Sequence, residues 1–246
     1  ANVLHDDMPS KSIEIRGLKV SVAKVDIPLA YGPAFEGERV RKDDLYLETG
    51  GGKTQCTELC KMAEMNEIED GKVELVGPDI KDVKKGSRLP LGMYLQAAGR
   101  KMQPDFEPIL ERQIHHLINY AQGVMHIGQR DIAWIRVGEQ AVEKGFSLKH
   151  IGTILHAKLH QDFGSILDKI QVTLYTNKDD VDKLTARARA EYKTRDDRVE
   201  KMTDEAVETY YSCTLCQSFA PSHVCVISPE RTGLCGAYNW MDCKAS

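Results

Sequence analysis

The chain has 246 residues, of which 41% are hydrophobic and 28% charged, and its net charge is −4. That composition suits a soluble globular protein of one large domain or two smaller ones, and it lacks the basic excess of a sequence-independent nucleic-acid binder. No apolar run approaches the roughly 20 residues of a membrane-spanning helix, and the opening "ANVLHDDMPSKS" has neither the basic start nor the apolar core of a secretory signal, so a cytoplasmic setting without a membrane partner is expected.

"IEIRGLKVSVAKVDIPLAYGP" carries Ile13, Ile15, Val20, Val22, Val25 and Ile27 at near-alternate positions, which predicts two short strands with Gly17 at a turn. "DDLYLETGGG" predicts a strand ended by glycines. A short helix is expected over "TQCTELCKMAEM", then a strand over "KVELVGPDI" with a Gly-Pro stop. "RLPLGMYLQAAGRK" reads as a further extended segment.

From Pro104, "DFEPILERQIHHLINYAQGV" places Ile109, Leu110, Ile114, Leu117, Ile118 and Ala121 on one helical face. "DIAWIRV" predicts a strand. Helical pieces follow around "EQAVEKG" and "IGTILHAKLHQDF", and "KIQVTLYT" alternates as a strand does. From Asp179 to about Thr209 the chain is charged, without glycine or proline, and Val181, Leu184, Ala188, Tyr192, Val199 and Met202 recur at helical spacing. A break is expected near Thr203, where "TDEAVE" gives a capping signal.

The expected fold is therefore mixed α/β: a mixed-sheet domain with flanking helices, a charged linking helix, and a short cysteine-rich cluster-binding segment. The boundaries fall at 1–26 for an extended segment or linker, 27–178 for the central domain, 179–209 for the linking helix and 210–246 for the cysteine-rich segment.

Five of the seven cysteines lie between Cys213 and Cys243. An odd total cannot pair completely within one chain, and the clustering in a long chain points to metal or chemistry in a reducing compartment. Cys213 and Cys216 form a C-x-x-C pair; Cys225 follows after eight residues and Cys235 after nine more. The short spacing offers two sulfurs from one loop, and the arms with Pro221, Pro229, Gly233 and Gly236 let the chain wrap round to supply two more. Four thiolates suit a [4Fe–4S] cubane or a tetrahedral zinc site, and spacing alone leaves these level. A redox pair is a weaker fit, because the C-x-x-C follows a polar helix rather than a strand.

Elsewhere the signals are local. "GGGKT" at Gly50–Thr54 misses the phosphate-loop pattern, since Leu47 stands where its first glycine belongs, and reads as a strand-to-helix turn with room for an anion at the helix start. Cys56 and Cys60 would share a helix face as buried small side chains. His156 and His160 have a spacing that could bind a metal, but no glutamate lies between them, and a half-exposed helix face is the simpler reading. His115 and His116 flank an apolar face and read as structural.

"YYSCTLCQSFAPSHVC" with "SPERTGLCGA" resembles the metal-cluster motif of the acetyl-CoA synthase family, a subunit of bifunctional CO dehydrogenase/acetyl-CoA synthase. "YGPAFEGERVRKDDLYLETGGGK", "KVELVGPDI", "GSRLPLG" and "FEPILERQIHHLINYAQGVMHIGQRDIAWIRV" resemble its central domain, so the likeness runs from about Ile27 to the end. The resemblance implies that Cys213, Cys216, Cys225 and Cys235 hold a [4Fe–4S] cubane and that Cys216 also bridges to a proximal nickel. It implies that Phe219 shapes the pocket beside that nickel, and that Arg130 and Arg136 contact coenzyme A, with residues 27–178 as its platform. The resemblance also implies CO, coenzyme A and a methyl-donating corrinoid iron–sulfur protein as reactants, a CO dehydrogenase subunit as partner, and acyltransferase activity.

Two departures bear on this. The position where family members often carry Trp is Met125. The Cys-Gly-Cys tripeptide that holds the distal nickel in the family does not occur here; a fragment that holds a cubane but is inactive alone is the expectation. Read from residues only, Arg130 and Arg136 are surface ion-pair residues and Trp134 is core. The alternative function is a non-catalytic four-cysteine iron–sulfur or zinc module beside a coenzyme A-binding domain.

Overall fold

The computed structural model describes residues 25–32, 40–102, 104–129 and 132–200, with four short strands outside them. Two of these, β1 (Ile13–Ile15) and β2 (Leu18–Val20), pair antiparallel with Ile15 opposite Leu18. Gly17, Val22 and Thr203 lie outside the described residues.

The body holds two four-stranded mixed sheets. The strands in chain order are β3 (Leu45–Gly50), β4 (Cys56–Met62), β5 (Val73–Val76), β6 (Ser87–Arg88), β7 (Leu91–Ala98), β8 (Val124–Gln129), β9 (Ile132–Gly138) and β10 (Lys169–Tyr175). The first sheet has the order β4-β7-β10-β5 and the second β6-β3-β9-β8. The helices are α1 (Glu107–Leu117), α2 (Glu139–Glu143), α3 (Lys149–Phe163) and α4 (Lys178–Glu200), with 3₁₀ turns at Ile80–Asp82 and on either side of α1 at Pro104–Phe106 and Ile118–Tyr120. The two further short strands, β11 (Tyr211–Ser212) and β12 (Val226–Ile227), pair with each other. The mixed α/β class with flanking helices is as the pattern predicts.

Both faces of the first sheet are covered. β7 is buried along nearly its whole length, as expected of a strand with helices on either side. Leu91, Met93 and Leu95 join the main core with Ile109, Leu110 and Ile114 of α1 and Ile151, Ile154 and Leu155 of α3. On the other face Leu59 packs with Leu184 and Ala188 of α4, flanked by Tyr94, Tyr175 and Tyr192. The first half of α4 is thus a packed helix: Val181, Leu184 and Ala188 are buried as their spacing predicts. All six apolar positions read on the α1 pattern are buried as well.

Three local expectations are corrected. "TQCTELCKMAEM" forms β4, not a helix. Its apolar residues sit at helical spacing because both faces of this strand are covered: Thr57, Leu59 and Lys61 meet α4, while Glu58 and Cys60 meet α1. Pairing with β7 over seven positions, Cys56↔Leu91 through Met62↔Ala97, overrides the local preference. Cys56 and Cys60 do share a face, but it is a strand's. The "GGGKT" turn joins two strands rather than a strand and a helix. Finally, "VMHIGQ" is the strand β8, where the pattern predicts a helix end; its hairpin partner is β9.

β4 is an edge strand, and α1 covers its free polar groups. Glu111 Oε2 accepts from Cys60 N at 2.6 Å and Glu107 Oε1 from Met62 N at 2.8 Å. Lys61 bridges Glu107 and Glu191 of α4, and Tyr192 donates to the Glu58 carbonyl. Side-chain acceptors here do what another strand would do, which closes the edge to further pairing.

Candidate functional site

The second sheet carries one row of ionic side chains. Its register sets Arg88 of β6 and Arg136 of β9 on either side of Glu48 of β3. Residues directly opposite on neighbouring strands share a face, so the row reads Arg88, Glu48, Arg136 and then Met125 of β8, which stands opposite Arg136.

Glu48 is the hub. Its side chain is 2% exposed. Oε1 accepts from Trp134 Nε1 at 2.9 Å and Arg136 Nε at 3.2 Å; Oε2 accepts from Arg88 Nε at 3.0 Å and Lys53 Nζ at 3.4 Å. Burial raises the Glu48 pKa, but hydrogen bonds from Arg88, Trp134 and Arg136 and the charge of Lys53 outweigh it and hold it at about 2. The carboxylate is therefore a permanent anchor.

Three cations surround that single carboxylate, which leaves a local charge of +2. The cationic side chains face water: Lys53 is 50% exposed, Arg88 51% and Arg136 25%. Each arginine gives its Nε to Glu48. The Arg136 guanidinium carbon lies 4.1 Å from the Trp134 ring centre, a cation–π distance that fixes the fork's plane. A planar donor fork with excess positive charge is chemistry suited to phosphate or carboxylate.

The glycine turn shapes this site. Gly50 has φ +73°, and a Cβ there would fall 1.8 Å from the Ala133 carbonyl oxygen. The turn thus lies directly on β9: Gly51 N donates to that same oxygen at 3.2 Å, and a Cβ on Gly51 would meet the Trp134 ring at 2.9 Å. Thr54 Oγ1 accepts from Gly50 N at 2.8 Å and closes the turn. Lys53 is held over Glu48 as a result.

Of the residues singled out in sequence, Arg136 and Trp134 come together here. Arg130, Phe219 and the thiols Cys213, Cys216, Cys225, Cys235 and Cys243 lie outside the described residues. Sequence reading missed Glu48 and Arg88, because cross-strand register joins positions 40 to 88 residues apart. His115 is buried as a structural residue; its Nε2 bonds Glu58 and its ring stands edge-on to His126 at 4.6 Å. Cys60 is buried, and burial lifts the Cys56 thiol to about 12, so Cys56 is not a ready thiolate.

A mixed-sheet α/β unit with a cationic row is followed in the chain by four closely spaced cysteines. The chain belongs to the family of the CO dehydrogenase/acetyl-CoA synthase complex beta subunit, whose model matches residues 27–181. The model of the C-terminal region of the ACS/CODH beta subunit matches residues 192–246. The chain is 51% identical over 242 residues to the carbon monoxide dehydrogenase/acetyl-CoA synthase subunit alpha of Moorella thermoacetica, covering 98% of itself and 33% of that protein. It is 44% identical over 221 residues to the acetyl-CoA decarbonylase/synthase complex subunit beta of Methanopyrus kandleri, covering 90% of itself and 47% of that protein. The chain thus spans a third to a half of the length of these relatives. No helix among the described residues is long and apolar enough to cross a membrane.

Proposed function

We propose that this chain forms part of an acetyl-CoA synthase, an acyltransferase that condenses CO, a methyl group from a corrinoid iron–sulfur protein, and coenzyme A into acetyl-CoA. The observation that carries this reading is the C-x2-C-x8-C-x9-C array of Cys213, Cys216, Cys225 and Cys235 within a family-matched segment. Four thiolates are the full donor set of a [4Fe–4S] cubane, and soft sulfur also suits nickel. When bound, a nickel centre joined to the cubane through Cys216 would supply the metal site for joining the methyl and carbonyl carbons.

The chain's own residues supply the rest. In this reading the four thiolates would hold the cluster, and Phe219 would bound the pocket beside Cys216. The cationic row of Lys53, Arg88 and Arg136 holds the phosphates of coenzyme A, with Arg130 nearby in sequence. Glu48 keeps the two arginine forks in place and stays ionised throughout the working pH range. Trp134 backs the Arg136 guanidinium with its ring. A CO dehydrogenase subunit and the corrinoid protein are the protein partners of this reading.

Replacement of Cys216 with Ser in protein prepared without oxygen tests it. Nickel should fall to background in Cys216→Ser while Cys243→Ser keeps it. Equal nickel in Cys216→Ser and the parent removes the bridging role.

A further inference from the structure

The two histidines of α3 meet a carboxylate from the turn before β5. His156 and His160 are one helical turn apart and share a face. Their Nε2 atoms lie 2.9 and 2.8 Å from the same oxygen, Asp70 Oδ1. The three candidate ligand atoms all lie within 4.8 Å of one another. The rings stand at 65° with centres 4.7 Å apart, so both nitrogens converge from different directions.

We propose that Asp70, His156 and His160 bind one divalent transition-metal ion of borderline softness, such as zinc, cobalt or nickel. Two imidazoles and one carboxylate are a common ligand set for such ions. The support for each ligand is built in. Asp70 Oδ1 also accepts from Ile170 N at 3.0 Å, which ties the carboxylate to the head of β10. Gly71, with φ +76°, brings its bare backbone alongside the His156 ring; a Cβ there would lie 3.6 Å from Cε1 and Nε2. The histidines are a quarter exposed and Asp70 is 43% exposed, so water can complete the coordination. No lysine or arginine pairs with Asp70 among the described residues, so no cation competes for the carboxylate.

Binding is a ligand exchange with balanced protons. Both Nε2 atoms face an acceptor, so each carries hydrogen in the free site. The ion takes the place of those hydrogens. A neutral ring moves its proton to Nδ1, and a protonated ring releases one to solvent. The ion would clip α3 to the turn before β5 and to β10.

Zinc titration of the whole chain, followed by the ring nitrogen signals of its histidines, tests this. His156 and His160 should change together from the Nε2–H to the Nδ1–H form, and zinc stoichiometry should fall by one per chain in His156→Gln with His160→Gln. Loss of a ligand should weaken this site by about tenfold or more, so Asp70→Asn, which keeps the shape, should also lower affinity. Any zinc taken up at the thiols is common to parent and variants and drops out of the difference. Unmoved His156 and His160 signals, or the same stoichiometry and affinity in Asp70→Asn and the parent, would overturn the proposal.

Discussion

Arg136 sits over the ring of Trp134, two residues before it on the same face of β9, with its guanidinium carbon 4.1 Å from the ring centre. Both side chains donate to Glu48. The pair turns a surface arginine into a fixed fork, and the first prediction follows from that. Arg136→Ala should weaken coenzyme A binding about tenfold, the worth of one charge-assisted hydrogen bond, with little change in melting temperature. Arg136→Lys should restore charge without the planar fork and recover only part of the affinity. Calorimetric titration with coenzyme A checks both; unchanged affinity in Arg136→Ala removes the site.

Glu48 carries a pH dependence of definite sign. Its pKa is held at about 2 against an ordinary 4.5. A lowered carboxylate pKa stabilises the fold fully above the ordinary value and loses that contribution as pH falls toward the folded one. Glu48→Gln should therefore cost about 2 kcal/mol near neutral pH, where it leaves clustered cations without their anion. The gap between parent and variant should close as pH drops through the window from 4.5 to 2. Denaturant unfolding across that window measures it.

The glycine turn supplies an internal comparison. Gly50 and Gly52 both have positive φ, +73° and +76°. A Cβ at Gly52 meets nothing within 4 Å, whereas one at Gly50 meets Ala133 O at 1.8 Å. Gly52→Ala should cost about 1 kcal/mol from backbone conformation alone. Gly50→Ala should cost more, because β3 and β9 must separate, and it should also disturb the Trp134 fluorescence.

The edge of the first sheet gives a fourth prediction. Glu111 is fully buried and accepts from the Cys60 amide. Glu111→Leu keeps bulk but strands that amide, so it should cost about 2 kcal/mol. Faster hydrogen exchange of the Cys60 amide should accompany the loss.

Much of this architecture was legible in the sequence. The α1 face, the β10 alternation and the apolar spacing of α4 each have one clean period; β10 is as read and α4 is helical as far as Glu200, the last described residue of that run, while α1 ends at Leu117, short of the helix read on to Val124. β4 was not legible, because a strand covered on both faces does not alternate; Cys56, Leu59 and Cys60 then imitate a helix. β8 was lost because its residues follow a strong helical run without a stop signal until Gly123. At the site, Trp134 and Arg136 were visible as types, but their partners Glu48 and Arg88 come from strand register. Asp70 was hidden from His156 and His160 by 86 and 90 residues of chain.

In the proposed function the four thiols hold an iron–sulfur cluster as part of an acetyl-CoA synthase. Metal and sulfide analysis of the chain purified without oxygen tests it most directly. About four iron and four sulfide per chain are expected, lost together in Cys213→Ser. Zinc alone, with no iron and no sulfide, would contradict it and leave a structural four-thiolate zinc site.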